Sequence, residues 1–323
     1  MARRRRRSPV WLIVGLGVLV VIVVALALPG SSSNPDKQSY LDIIRPQLQS
    51  SAQQGGVVND VRANAATSDR VALSQRLEDL VGGAANVRQQ VSAVGAPGSL
   101  SAASHSLNDA LQLRAQATSL FRSGVEAALP QATGGDPLGD LVKAGQDLIA
   151  ADNSYGSFLR ALPRSMASSI SVPEYRWVVN PADWSRQGLG LFVIGTKLSP
   201  TLAARHDVAV SLVSTQPAPT SYLGSVAVLG LTRQLTVGVV VVNQGNVGEQ
   251  NVPVVATLGS FGVQDQVARA TIDLGPTQRV ALDLAGLRLT PRLTYELTVT
   301  AGPVPGDVDP ANERQVSSLT VSG

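Results

Sequence analysis

The stretch QLTVGVVVVNQGN, residues 234–246, decides the fold of the C-terminal part of the chain. It joins a run of β-branched residues to a cluster of turn formers, Asn243-Gln-Gly-Asn246, and so reads as a strand that stops abruptly. The same two-residue alternation begins near His206 and continues to the C-terminus. Working outward, strands are predicted at Asp207 to Val213, Gln234 to Asn243, Val252 to Leu258, Arg269 to Leu274, Gln278 to Leu284, Leu293 to Thr300 and Gln315 to Val321. Gly275-Pro276 and Gly302 to Pro310 supply further turns. Seven short strands in this span predict a two-sheet sandwich of immunoglobulin type.

The residues themselves carry a resemblance. Leu235 to Asn246, then Ile272-Asp-Leu-Gly-Pro276, Tyr295-Glu-Leu-Thr-Val299 and the closing Asp309-Pro-Ala-Asn312-Glu313 resemble the CARDB family of immunoglobulin-like modules from bacterial surface proteins. The resemblance covers His206 to Ser322 and implies a role in adhesion. It implies no reaction. Consecutive asparagines usually end such modules, whereas Asn312 is followed here by Glu313.

Upstream the period changes to helical. From Asp36 to Leu162 four helices are predicted, with breaks near Asn64 to Ser68, Gly95 to Gly98 and Pro130 to Gly135. Leu73, Leu77, Leu80, Ala84, Val87, Val91 and Val94 repeat at steps of 4 and 3, one stripe that calls for a packed neighbour. Leu41, Ile44 and Leu48 begin a weaker stripe, where Pro46 and Gly55-Gly56 predict a kink or break. Asp136 and Pro137 open the fourth helix as N-cap and first residue. The stripes of the third and fourth helices each hold one charge, Arg114 and Asp152, both nineteen residues from Thr133. An antiparallel hairpin centred on Thr133 brings them together as a structural ion pair that sets register.

Between these parts, residues 163–205 form a junction. Asn180-Pro-Ala-Asp183 reads as a helix start, and Trp184, Gly188, Leu191, Gly195 and Leu198 predict a fifth helix with that stripe. Trp177, Trp184 and Phe192 form a candidate ligand or interdomain patch. An enclosed cavity among them favours a ligand, and a filled junction favours a scaffold.

At the N-terminus, Arg3 to Arg7 precede Val10 to Leu28, nineteen residues without a charged side chain. A helix of that length spans about 28 Å, the thickness of bilayer hydrocarbon. The arginines stay cytoplasmic under the positive-inside rule, which places the remainder outside. The competing reading is a secretory signal cleaved near Ala27, because Ala25-Leu-Ala27 has the small-x-small pattern. Both readings export the body.

Composition bounds the function. The 323 residues include no cysteine and two histidines, which excludes thiolate metal sites, disulfides and cysteine nucleophiles. Five of the 26 cationic residues are Arg3 to Arg7, leaving 21 against 23 acids in the rest. The body therefore has no basic footprint for nucleic acid. Three lysines against 23 arginines fit a GC-rich bacterial source. His206-Asp207 lacks the G-x-S-x-G elbow of a serine hydrolase and reads as a junction histidine. His105 reads as a solvated helix residue, and Glu78-Asp79 face water beside their stripe. Asp307, Asp309, Asn312 and Glu313 are rich in oxygen but lack EF-hand spacing, and read as a polar turn. No catalytic, cofactor-binding or metal-ligating residue is assigned.

The reading is a multidomain α and β chain. It comprises a basic tail (1–9), a transmembrane helix (10–28), a linker (29–35), an extracytoplasmic four-helix bundle (36–162), the junction (163–205) and an immunoglobulin-like β-sandwich (206–323). The expected function is an envelope scaffold held in the cytoplasmic membrane by residues 10–28, binding an envelope protein or cell-wall component without catalysis and without nucleic acid. The alternative is a small-molecule-binding or sensing module with its ligand at the junction of bundle and sandwich.

Overall fold

The computed structural model describes residues 36–163 and 176–322. The expected transmembrane helix, residues 10–28, lies outside them. No helix among the described residues is long and apolar enough to cross a membrane.

Four antiparallel helices build the first unit: α1 (Lys37–Asn64), α2 (Arg70–Ser92), α3 (Ser101–Ala127) and α4 (Pro137–Ala161). Three start where an acidic side chain takes a free backbone N–H: Asp36 accepts from Ser39, Asp69 from Ala72 and Asp136 from Gly139. The break predicted in the first helix is absent. Helix α1 runs through Pro46 and Gly55, because Tyr40, Leu41, Ile44 and Leu48 bury one side of the proline turn and Val58 and Val61 bury the turns beyond. Packing on both sides offsets the lost hydrogen bond.

The bundle has two apolar clusters. One joins the start of α1 to the ends of α2 and α4, with Tyr40, Ile44, Leu107 and Phe158. The other joins the end of α1 to the starts of α2 and α4, with Val58, Leu77, Phe121 and Leu148. Arg114 and Ser51 are buried polar residues outside both clusters.

The junction differs from its sequence reading. A 3-10 turn at Pro181–Trp184 comes first, and Ser185 then caps α5 (Arg186–Lys197) by accepting from Gly188 N at 3.1 Å. Leu189 and Thr196 are buried, whereas Leu191 and Leu198 of the expected stripe are exposed. Starting the helix five residues later, at Arg186 instead of Pro181, leaves Leu189 to pack on the bundle core beside Trp184.

Nine strands follow: β1 (Val208–Gln216), β2 (Pro219–Leu223), β3 (Val226–Leu229), β4 (Gln234–Asn243), β5 (Glu249–Ser260), β6 (Val263–Leu274), β7 (Arg279–Arg288), β8 (Thr294–Ala301) and β9 (Arg314–Val321). One sheet is ordered β1-β4-β7 and the other β2-β3-β9-β8-β5-β6. Pairing is antiparallel except between β3 and β9, where Val226 faces Ser318 and Leu229 faces Val321. Leu235, Val237, Val239 and Val241 of β4 point into the core, against Val254 and Ala256 of β5 and Leu297 and Val299 of β8. Alternation in β4 is complete, ending on the buried side chain of Asn243. β2 and β3 were not among the seven predicted strands. β2 has no buried residue and β3 has one, so neither carries a period-two signature.

Candidate functional site

The turn that ends β4 has a specific task. Asn243 is fully buried, donates from Nδ2 to the carbonyls of Val247 at 2.7 Å and Gly275 at 3.1 Å, and accepts from Gly245 N at 2.8 Å. It closes the turn against the β6–β7 connection. Asn246 instead faces the incoming chain. Its Oδ1 accepts from Arg205 N at 2.7 Å, its Nδ2 donates to Ala203 O at 2.9 Å, and its own N–H donates to Arg205 O at 2.9 Å. A Cβ at Gly245 would strike the Arg205 carbonyl, so only glycine permits this approach.

The bundle grips the same segment from its other side. Arg70 donates to Leu202 O at 2.6 Å, and Gln131 Oε1 accepts from Ala204 N at 3.0 Å. Burial lowers the Arg70 guanidinium from its ordinary value. Residues 202–205 are thus held by side chains from both parts. Spacing along the sequence identified the turn, but the long-range role of Arg70 and Gln131 has no local signal.

His206 sits at this seam. Its Nδ1 lies 2.7 Å from Oε1 of the nearly buried Glu249. Asp207 is buried, pairs with Arg205 at 2.8 Å and accepts from Asn312 at 3.0 Å. The oxygen-rich loop is occupied internally: Asp307 accepts from the N–H groups of Val208 and Asp309, and Glu313 from Val304 N at 3.2 Å. Burial raises the Glu313 carboxyl above its ordinary value, and the charge of Asp307 adds to that. Among the described residues no group of His, Asp and Glu is arranged to hold a metal ion. His105 is exposed, 3.5 Å from Asp109, and Glu78 and Asp79 face water.

Within the bundle, Arg114 Nη2 meets Asp152 Oδ1 at 3.2 Å, and Nη1 donates to Ser51 Oγ at 3.0 Å. The guanidinium lies over the rings of Tyr155, 4.8 Å to the centroid, and Trp177, 5.0 Å. Asp152 also accepts from Trp177 N at 3.1 Å and Val178 N at 3.0 Å. The pair therefore ties the junction to the bundle as well as α3 to α4. Burial pushes the Arg114 guanidinium down, opposed by the charge of Asp152.

Trp177 and Trp184 belong to the bundle core with Phe192 packed against it, and Trp184 contacts Phe121 at a centroid distance of 5.8 Å. The expected patch is filled by its own side chains. An open cleft of about 780 Å³ lies nearby instead, lined by Ile149, Tyr155, Leu159, Arg160, Arg176 and Val179, among others, between α4 and the chain before α5.

No family profile matches the chain, and no curated protein matches it in sequence. Among solved structures it is similar to the CARDB domain of a Pyrococcus furiosus protein, at 17% identity and a TM-score of 0.27 over 36% of this chain and 96% of that one. The stretch matched is about the length of the C-terminal sandwich. Other similar structures are a β-glucosidase from Listeria innocua in complex with glucose and the alkylpurine DNA glycosylase AlkC from Pseudomonas fluorescens bound to DNA. The first is 11% identical over 37% of this chain and 16% of that one (TM-score 0.26), the second 10% identical over 88% and 99% (TM-score 0.25). Neither likeness assigns an activity to this chain.

Proposed function

We propose that this chain is a structural and interaction protein of a bacterial cell envelope. Residues 10–28 hold it in the cytoplasmic membrane, the bundle serves as a stalk outside, and the sandwich binds an envelope protein or cell-wall component without catalysis. The observation that supports binding is the end of the six-stranded sheet. β2 pairs with β3 on one side only, and its Tyr222 and Leu223 are two-thirds exposed. An unpaired edge with apolar side chains and no charged residue is a template for an added strand.

A photo-crosslinking residue at Tyr222 on intact cells tests this. The expected product joins Tyr222, and not the exposed helical position Gln75, to an envelope component, and Leu223→Lys weakens it. Equal labelling at both positions contradicts the reading. A second reading, a small ligand, is favoured by the cleft beside Arg160 and Arg176. Its test is a thermal shift with anionic amphiphiles that Arg160→Gln abolishes.

A further inference from the structure

One end of the sandwich faces the bundle through Arg205 and Asn246. Backbone hydrogen bonds gather three segments at the opposite end: Leu289 N to Arg233 O, Arg292 N to Val321 O, and Ser322 N to Leu229 O. Ser260 Oγ donates to Thr294 O, and Gln266 Nε2 to Arg288 O, which brings the β5–β6 turn to the same end.

That turn is Ser260-Phe261-Gly262-Val263, with Gly262 at φ 73° and Ser260 paired with Val263. Its geometry requires the glycine but places no demand on residue 261. Yet Phe261 stands there fully exposed, and Leu231, in the β3–β4 connection, is 73% exposed. Three strand spacings, about 14 Å, separate the strands that carry them. Arg233, Arg288 and Arg292 at this end are exposed, and among the described residues none is in an ion pair. Asp265 and Glu296 lie beside Gly259 on the adjoining strands, and neither forms an ion pair with these arginines.

We propose that this free end is a membrane-contacting tip: Phe261 and Leu231 enter the interfacial region of an anionic lipid surface while the three arginines meet phosphate groups. A protruding ring needs a ready-made pocket on a folded protein, but a lipid interface deforms around it. Unpaired arginines beside exposed apolar groups match the charge and depth profile of an anionic leaflet. This contact is separate from residues 10–28 and independent of the β2 edge.

The absence of cysteine allows single-site labelling of the full-length chain. An environment-sensitive dye is placed at Gln264→Cys beside the tip, or at Asp309→Cys at the opposite end as reference, and vesicles of phosphatidylcholine with or without phosphatidylglycerol are added. The tip dye should shift to the blue and be quenched by acyl-chain spin labels with the anionic vesicles only, while the reference dye stays unchanged. Phe261→Ser should weaken that response about tenfold or more, with unaltered thermal unfolding. High salt should also weaken it. A tip dye that ignores both vesicle types, a response unchanged in Phe261→Ser, or a blue shift with an envelope protein but not with lipid would overturn the proposal.

Discussion

Arg114 is the residue on which the bundle turns. It is almost fully buried, and its charge is balanced by Asp152, a serine hydroxyl and two aromatic faces. Removing Asp152 strands that charge, so Asp152→Ala should cost about 3–5 kcal/mol in chemical denaturation. Adding Arg114→Met should not restore wild-type stability, because Trp177 and Val178 would still lack an acceptor for their N–H groups. The encounter of Arg114 with Asp152 was legible because both interrupt apolar stripes at equal distances from one turn. Ser51 and the two backbone donors were not, since they arrive from chain segments whose approach no local period encodes. Glu313 gives a prediction of opposite sign. Its folded pKa is raised, so its contribution favours folding at low pH and declines as pH rises through that value. Glu313→Gln, which keeps an acceptor for Val304 N, should stabilise the protein at pH 7 and lose that advantage below about pH 4 in pH-dependent unfolding.

Elements are positioned by glycines and asparagines as much as by apolar stripes. A Cβ on Gly124 of α3 would lie 2.6 Å from Leu141 Cγ and 3.0 Å from Pro137 O, whereas one on Gly82 of α2 meets nothing within 4 Å. Gly124→Ala should therefore destabilise by about 1–3 kcal/mol through overpacking. Gly82→Ala should stabilise by about 0.5–1 kcal/mol through helix propensity, both read from thermal unfolding. The turn after β4 separates two tasks in the same way. Asn243→Ala removes the side-chain donor to the Val247 and Gly275 carbonyls and leaves the Gly245 N–H with only its longer bond to Asp207 O at 3.2 Å, and should cost the sandwich about 2 kcal/mol or more. Asn246→Ala should leave sandwich unfolding nearly unchanged but speed proteolytic cutting near Ala203 to Arg205. Strands with one buried face, such as β4, were plain from alternation. β2, β3 and the face of α5 were not, because exposed apolar residues obscure the pattern that burial normally imposes.

For the whole molecule, the bundle and the sandwich are linked by a short segment held from both sides. The mixed helical and β class and the separation into bundle and sandwich followed from the change of hydrophobic period near His206. The seam did not, since Arg70 and Gln131 lie far in sequence from what they hold. The proposed role requires that everything beyond residues 10–28 be delivered across the cytoplasmic membrane. Protease added to intact spheroplasts, followed by detection of N-terminal and C-terminal tags, tests it most directly. The C-terminal tag should be lost, with a short N-terminal fragment retained in the membrane fraction. Full-length chain protected until the spheroplasts are lysed, and recovered with cytosolic proteins, would contradict it.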